Sequence, residues 1–312
     1  MANRFEQMRA FAGVVEAGGF TRAVDRTGMS RAVVSRNIQE LEDRLGVRLL
    51  NRTTRQVSLT QAGNTFYEKC RRILDDLDEA ERSISDEATG PRGVLRVVAP
   101  VNFGLSDLGP AIADFLLQFA NIRIELSLND RIVDPIEAGY DVAIRVRQTP
   151  PDLPMTLDAC KITESSRILC GAPHYLRARG EPRTPQELSR YECLCYSYVE
   201  EPTVWRLTRS GEEHAVHVTS RIVTSASSVL ATAAERGLGV AYGPTAFFRD
   251  ALKRGALVRV LPEYDLPKVA IYSLFARGRH IPPKLQAFNA FMQDYFAKVA
   301  ESGVLQGFQQ SD

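Results

Sequence analysis

Residues 18–60 read GGFTRAVDRTGMSRAVVSRNIQELEDRLGVRLLNRTTRQVSLT. Two glycines, a short basic and apolar segment, a third glycine and a strongly periodic segment are the punctuation of two helices joined by a turn. Gly18-Gly19 ends a preceding helix over residues 4–17, where Phe5, Met8, Phe11, Ala12 and Val15 make one apolar stripe. Phe20 turns the chain back toward the core, and Thr21 is expected to N-cap a short helix reaching Thr27. Gly28 supplies the turn, Met29 plugs the core beneath it, and Ser30 N-caps a third helix ending near Leu45. In that helix Val34, Ile38, Leu41 and Leu45 recur at helical spacing and are expected to be buried. Arg31 and Ser35 share an exposed face near its N-terminal end, with Val33 and Arg36 close by.

Residues 48–50 and 56–58 then read as a short hairpin around a tip that carries Arg52, Thr53 and Arg55. Three helices followed by such a hairpin describe a winged helix-turn-helix, which lays one helix in the major groove of double-stranded DNA. Early residues of that helix reach base edges, where an arginine can donate two hydrogen bonds to guanine. Basic residues on the wing contact phosphates, which sets affinity and register and not base choice. The candidate DNA-binding set is therefore Thr21, Ser30, Arg31, Val33, Ser35, Arg36, Arg52, Thr53 and Arg55. Charge agrees with this placement. Residues 1–59 hold ten arginines against six acids, whereas residues 60–90 hold eight acids against four basic residues. Only the head suits a polyanion. The plainer reading of the same residues is a three-helix bundle with solvated arginines.

FTRAV, SRAVVSRNIQELEDRLGVRLLNRT and LTQAG, separated each time by five residues, resemble the N-terminal signature of LysR-type transcriptional regulators. The likeness runs ungapped over about sixty residues, and the overall length also fits. Two departures stand out. Arg31-Ala32 follows the serine where the family usually has Gln-Pro or a similar pair, and Leu50 stands where its wing usually has Phe. The first bears on which bases are read. The resemblance implies a bacterial, cytoplasmic DNA-binding regulator that is not an enzyme, with RNA polymerase among its partners.

Thr60 is placed to N-cap a long helix to about residue 87. Within it Phe66, Cys70, Ile73, Leu77, Ala80 and Ile84 alternate spacings of four and three, a heptad seam expected to pair with the same helix of a second copy. Dimerising beside the reader would hold two recognition helices at a fixed spacing for a near-palindromic site. The resemblance implies the same homodimer, and often a homotetramer.

Thr89-Gly90-Pro91-Arg92-Gly93 breaks that helix. Strands are then expected over 94–99, 122–128, 141–146, 166–171, 193–198, 239–242 and 269–275. Helices are expected over 107–119, 135–138, 184–189, 227–236 and 283–297, and residues 205–207 and 215–218 should pair as antiparallel strands. Alternating strands and helices argue for an α/β fold with parallel sheets covered by helices. The expected domains are 1–59 for the reader, 60–90 for the linker helix and 91–312 for the remainder. The resemblance divides that remainder into two lobes shaped like a periplasmic binding protein, one of about 92–161 and 268–300, the other of about 162–267.

Ligands of open α/β folds sit beyond the carboxyl ends of strands, near free helix N–H groups. Val101, Asn102 and Phe103, then Thr224, Ser225 and Ser227, then Tyr242 and Pro244 occupy such places. Asp130 follows the second strand, and Arg145 ends the third. These ten residues outline a small polar cleft suited to a small-molecule effector, such as an organic carboxylate. The plainer reading of Arg145 is an ion pair with Asp141 or a neighbouring acid. The family often has hydroxyl residues after the first strand, where this chain has Asn102 and bulky Phe103.

The 312 residues allow roughly two domains, or three small ones. No secretory signal pattern or membrane-length apolar run is present. The five cysteines imply no disulfide framework; Cys193 and Cys195 would face the same side of a strand, which leaves a redox gate as one alternative to ligand control. Gly237, Gly239 and Gly243 faintly resemble a dinucleotide fingerprint, but they follow a helix and enter a strand, the reverse of the phosphate-binding order. The histidines form no metal-like pattern, no catalytic triad or phosphate loop is found, and no cofactor is expected. The competing class is a small-molecule-binding protein or enzyme whose N-terminal helices serve only for dimerisation.

Overall fold

The computed structural model describes residues 3–52, 57–85, 90–148, 150–199, 201–278 and 281–301. Contacts divide the chain into two compact units, Met1–Val94 and Leu95–Asp312.

The first unit contains α1 (Arg4–Ala17), α2 (Phe20–Thr27), α3 (Arg31–Leu45), β1 (Leu50–Arg52), β2 (Val57–Leu59) and α4 (Gln61–Ser85). Gly18 caps α1 in the left-handed conformation that a side chain disfavours, with φ of 66°. α2 starts one residue before the expected cap, because the Gly19 carbonyl already accepts the Ala23 N–H at 3.1 Å. Thr21 is therefore an exposed residue inside the helix, not its N-cap. Ser30 does cap α3, accepting the Val33 N–H at 3.4 Å. Val34, Ile38 and Leu41 are fully buried, but Leu45 is 37% exposed; Leu49 and Leu50 close that end of the core instead. The buried Glu42 carboxylate accepts the N–H groups of both Leu49 and Leu50, at 2.8 and 3.1 Å, and ties the end of α3 to the wing. Thr60 caps α4 by accepting the Gly63 N–H at 2.9 Å. A Cβ on Gly63 would lie 1.9 Å from the Leu49 carbonyl oxygen, so this approach of helix to wing admits only glycine.

β3 (Gly93–Ala99) carries the chain from the first unit into the second. α5 (Val101–Phe103), a π-helical turn (Gly104–Leu108) and α6 (Gly109–Gln118) follow without a break. Helix was expected only from residue 107; the Gly104 N–H instead bonds the Pro100 carbonyl at 2.8 Å, so winding begins directly after the strand. Next come β4 (Ile122–Leu128), α7 (Pro135–Ala138), β5 (Val142–Arg147) and β6 (Leu157–Ser165). β7 (Arg167–Gly171), α8 (Pro173–Arg179), β8 (Glu192–Tyr196), β9 (Val204–Arg209), β10 (Glu212–His217), β11 (Thr219–Thr224), α9 (Ser227–Glu235), β12 (Val240–Pro244), α10 (Arg249–Lys253) and β13 (Val258–Val260) build the second lobe. β14 (Val269–Ala276) and α11 (Pro283–Glu301) return to the first.

Each lobe has a five-stranded sheet, ordered β4-β3-β5-β14-β6 and β11-β8-β12-β7-β13. The sheets are mixed and not purely parallel as expected. β3 and β5 run parallel, as do β8 and its neighbours β11 and β12. β14 is antiparallel to β5 and β6, and β7 to β12 and β13. The antiparallel members are the strands that carry the chain between lobes, where no crossover helix reverses direction. Ser166 alone separates β6 from β7, so the first crossing falls there and not after residue 161. Thr245 secures it, donating its N–H and its hydroxyl to the Ser166 carbonyl, both at 3.0 Å. Cys193 and Cys195 do share one face of β8, within a core that includes Trp205 and Tyr242. Gly239 admits no side chain, since a Cβ would stand 2.2 Å from the Glu192 carbonyl oxygen; backbone packing accounts for this glycine without any phosphate.

Candidate DNA interface and ligand cleft

Helical periodicity leaves the start of α3 free on one side. Arg31 and Val33 are exposed and Ser35 is half-buried beside them, while Val34 and Ile38 face inward. An exposed valine at the head of this helix is suited to the methyl group of thymine. Arg36 is also exposed, but its Nε is held by Glu40 at 2.8 Å. That hydrogen bond, with the neighbouring charge, keeps the Glu40 carboxyl below its ordinary range. A contact between Arg36 and DNA would require it to leave a surface ion pair, which costs little. The Arg52 backbone belongs to β1; its side chain, Thr53 and Arg55 lie outside the described residues.

The seam on α4 is only partly available to a second copy. Phe66 packs on Phe11 with ring centroids 5.7 Å apart, and Cys70 is fully buried with its thiol 3.6 Å from the Met8 carbonyl oxygen. Leu74 joins the same core, and Asp78 pairs with Arg9 at 2.9 Å. The ridge 66, 70, 74, 78 thus belongs to α1. Ile73 and Leu77 lie one position earlier than Leu74 and Asp78, about 100° around the helix, and Ile73 is 43% exposed. Cys70 is corrected to a core residue of its own unit, and Phe66, half-buried, packs against that core. The Ala80 and Ile84 side chains lie outside the described residues.

In the second unit a cavity of about 520 Å³ opens between the lobes. Of the ten expected residues, Asn102, Phe103, Asp130, Arg145 and Pro244 line it. Asp130 accepts the Val101 N–H at 3.0 Å, which places Val101 behind the wall. Asn102 is 9% exposed and makes four hydrogen bonds across the lobes. Its Nδ2 donates to Tyr196 Oη at 3.1 Å and to the Ser225 carbonyl at 2.6 Å; its Oδ1 accepts from Ser227 N–H at 3.2 Å and Oγ at 2.8 Å. Ser225 and Ser227 therefore hold the wall together and do not line the cavity. Thr224 does not line it either; its hydroxyl accepts the Ala226 N–H at 3.1 Å.

Arg145 is buried and donates to the carbonyls of Ile144 at 3.0 Å and Val133 at 2.9 Å. Burial, and secondarily Arg147, makes its charge harder to hold than usual, although a guanidinium stays protonated. The plainer alternative, an ion pair with Asp141, is absent: Asp141 accepts the Arg96 N–H at 2.7 Å and faces Lys284, and among the described residues no carboxylate pairs with Arg145. Tyr242 stands behind the cavity, its hydroxyl accepting from Arg167 at 3.2 Å.

Arg167, Tyr196, Tyr198 and Phe247 also line the cleft and were not anticipated. Tyr196 ends β8 and Tyr198 follows it, so the strand-end rule applied to this strand would have found them. Arg167 heads the buried strand RILCG, where a charge is unusual enough to call for a purpose.

A winged helix-turn-helix and a two-lobed α/β unit with a polar cleft, in one chain, define a DNA-binding transcriptional regulator with an effector domain. The chain belongs to the LysR family of transcriptional regulators. Residues 5–64 match the bacterial regulatory helix-turn-helix proteins of the lysR family, and residues 88–297 match the LysR substrate binding domain. It is 30% identical over 292 residues to the HTH-type transcriptional regulator DmlR of Escherichia coli, covering 93% of this chain and 94% of that one. It is 31% identical to an HTH-type transcriptional regulator of Haemophilus influenzae, covering 92% and 99%. Full-length AphB, a virulence activator of Vibrio cholerae, superposes with a TM-score of 0.57 at 34% identity, covering 93% and 98%. CrgA of Neisseria meningitidis, a LysR-type regulator, does so with a TM-score of 0.57 at 27% identity, covering 93% and 98%. These relatives are named regulators, so the enzyme alternative is not favoured. No described helix is long and apolar enough to cross a membrane.

Proposed function

We propose that this regulator responds to a small organic anion bound between its lobes, and that Arg145 is the first group to hold it. The observation carrying this reading is a buried guanidinium lining a cavity of about 520 Å³ with no carboxylate partner among the described residues. Burying a cation without a counter-charge is costly, and an anionic ligand removes that cost. Phe103, Tyr198 and Phe247 supply apolar wall for the rest of the molecule.

In this reading Arg31, Val33 and Ser35 read bases and the wing residues Arg52, Thr53 and Arg55 grip phosphates, with Ser30 and Thr21 at the margins. Ile73 and Leu77, continued by Ala80 and Ile84, pair two copies in the bacterial cytoplasm. The bound pair acts on RNA polymerase, and ligand closure changes the spacing of the readers because one arrangement binds the ligand better. Thermal shift of the full-length protein against carboxylates and matched neutral amides tests the anion. Stabilisation by carboxylates alone is expected; stabilisation by the amides alone would overturn it.

A further inference from the structure

Arg145 is not the cleft's only buried cation without a carboxylate partner among the described residues. Arg167 is 6% exposed and lines the same cavity from the other lobe. Its Nη1 donates to Tyr242 Oη at 3.2 Å, its guanidinium carbon lies 5.7 Å from the Tyr242 ring centroid, and its buried Nε has no hydrogen-bond partner. Among the described residues neither acid that lines the cavity pairs with it: Asp107 is paired with Arg249 at 2.7 Å, and Asp130, which accepts the Val101 N–H, forms no ion pair with Arg167.

We infer that Arg167 is the second anchor of the cleft and that the effector carries two anionic groups, one for each lobe. The inference rests on the anion reading of Arg145. Two buried like charges facing one cavity repel, and a single carboxylate answers only one of them. A dicarboxylate, or a carboxylate bearing a second acidic group, answers both and thereby bridges β5 of one lobe and β7 of the other. Arg145 sits on β5 of the first lobe, and Arg167 opens β7 of the second, immediately after the crossing. A bridging ligand binds the closed arrangement better than any ligand held by one lobe, which is what shifting the regulator requires. Tyr242 has a defined part here. It sets the Arg167 guanidinium from behind the wall.

Titration calorimetry of the full-length protein with matched pairs tests this: butanoate against succinate, pentanoate against glutarate, benzoate against phthalate. At least one dicarboxylate is expected to bind about tenfold or more tightly than its partner. Arg167→Gln should abolish that preference while leaving monocarboxylate affinity within about twofold, and Arg145→Gln should weaken both. Arg167→Lys, which keeps the charge, should retain part of the preference and shows that a loss in Arg167→Gln is not misfolding. Arg167 also borders a smaller cavity of about 240 Å³ with Lys268. Lys268→Gln should change nothing, and a selective loss of dicarboxylate binding there would place the second anion in that cavity and overturn the bridge. Equal binding of mono- and dicarboxylates overturns the second anchor and leaves the anion reading standing. No binding by any carboxylate overturns both.

Discussion

Asn102 Oδ1 accepts both the hydroxyl and the backbone N–H of Ser227, at 2.8 and 3.2 Å, and so fastens the first lobe to the second beside the cleft. With Nδ2 bonded to Tyr196 and Ser225, every polar valence of this side chain is used. Asn102→Ala leaves those groups without partners, a loss of about 1–3 kcal/mol for each one that stays dry. The melting temperature should fall by several degrees, and amides at the start of α5 should exchange faster. An unchanged melting curve would show that the fastening contributes nothing.

Arg31 and the wing should fail differently. Arg31→Ala should cost about 1–3 kcal/mol on the preferred operator and relax base choice at one position. Arg52→Ala should weaken all sequences alike and reduce the salt dependence. Competition gel shifts across operator variants and salt concentrations separate the two; identical profiles would remove the division of roles.

On α4, Ile73→Asp is expected to dissociate the homodimer while the first unit keeps its melting transition, because Ile73 is 43% exposed within its own chain. Phe66→Ala should instead destabilise that unit by about 3 kcal/mol, since it removes ring contacts within the core. Sedimentation velocity and thermal melting together make the distinction. Dissociation by Phe66→Ala without loss of stability would return that residue to the dimer seam.

Thiol chemistry gives a direct check on the redox alternative. Burial pushes the Cys70 thiol up to about 12 and also raises those of Cys170, Cys193 and Cys195. A raised thiol pKa leaves the protonated, unreactive form dominant at pH 8. Burial raises the Cys160 thiol as well, but Cys160 is only half-buried, so under Ellman's reagent at that pH it should react first and the other four only on unfolding. Cys193→Ser/Cys195→Ser should answer inducing conditions as the wild type does. Rapid labelling of either residue in the native protein would restore the redox gate.

Much of the reader was legible in the chain itself. A helix of known period has known faces, so the spacing of Val34, Ile38 and Leu41 already turns Arg31 outward. Ser30 and Thr60 cap their helices through local bonds that need no distant partner. The heptad on α4 was just as visible, yet spacing alone does not say which surface a stripe meets. Packing against Met8 took Cys70 for the fold, packing against Phe11 half-buried Phe66, and Ile73 was left outside. The cleft depended still more on tertiary structure. Arg145 and Asn102 could be picked from strand ends, but Arg167 faces them only because β7 lies between β12 and β13 in the second sheet and follows Ser166 out of the first. Strand order is set by long-range pairing, and local residue patterns carry little of it. The sequence therefore determined that this protein is a DNA-binding regulator, while the order of strands decided which two buried arginines look into one cavity.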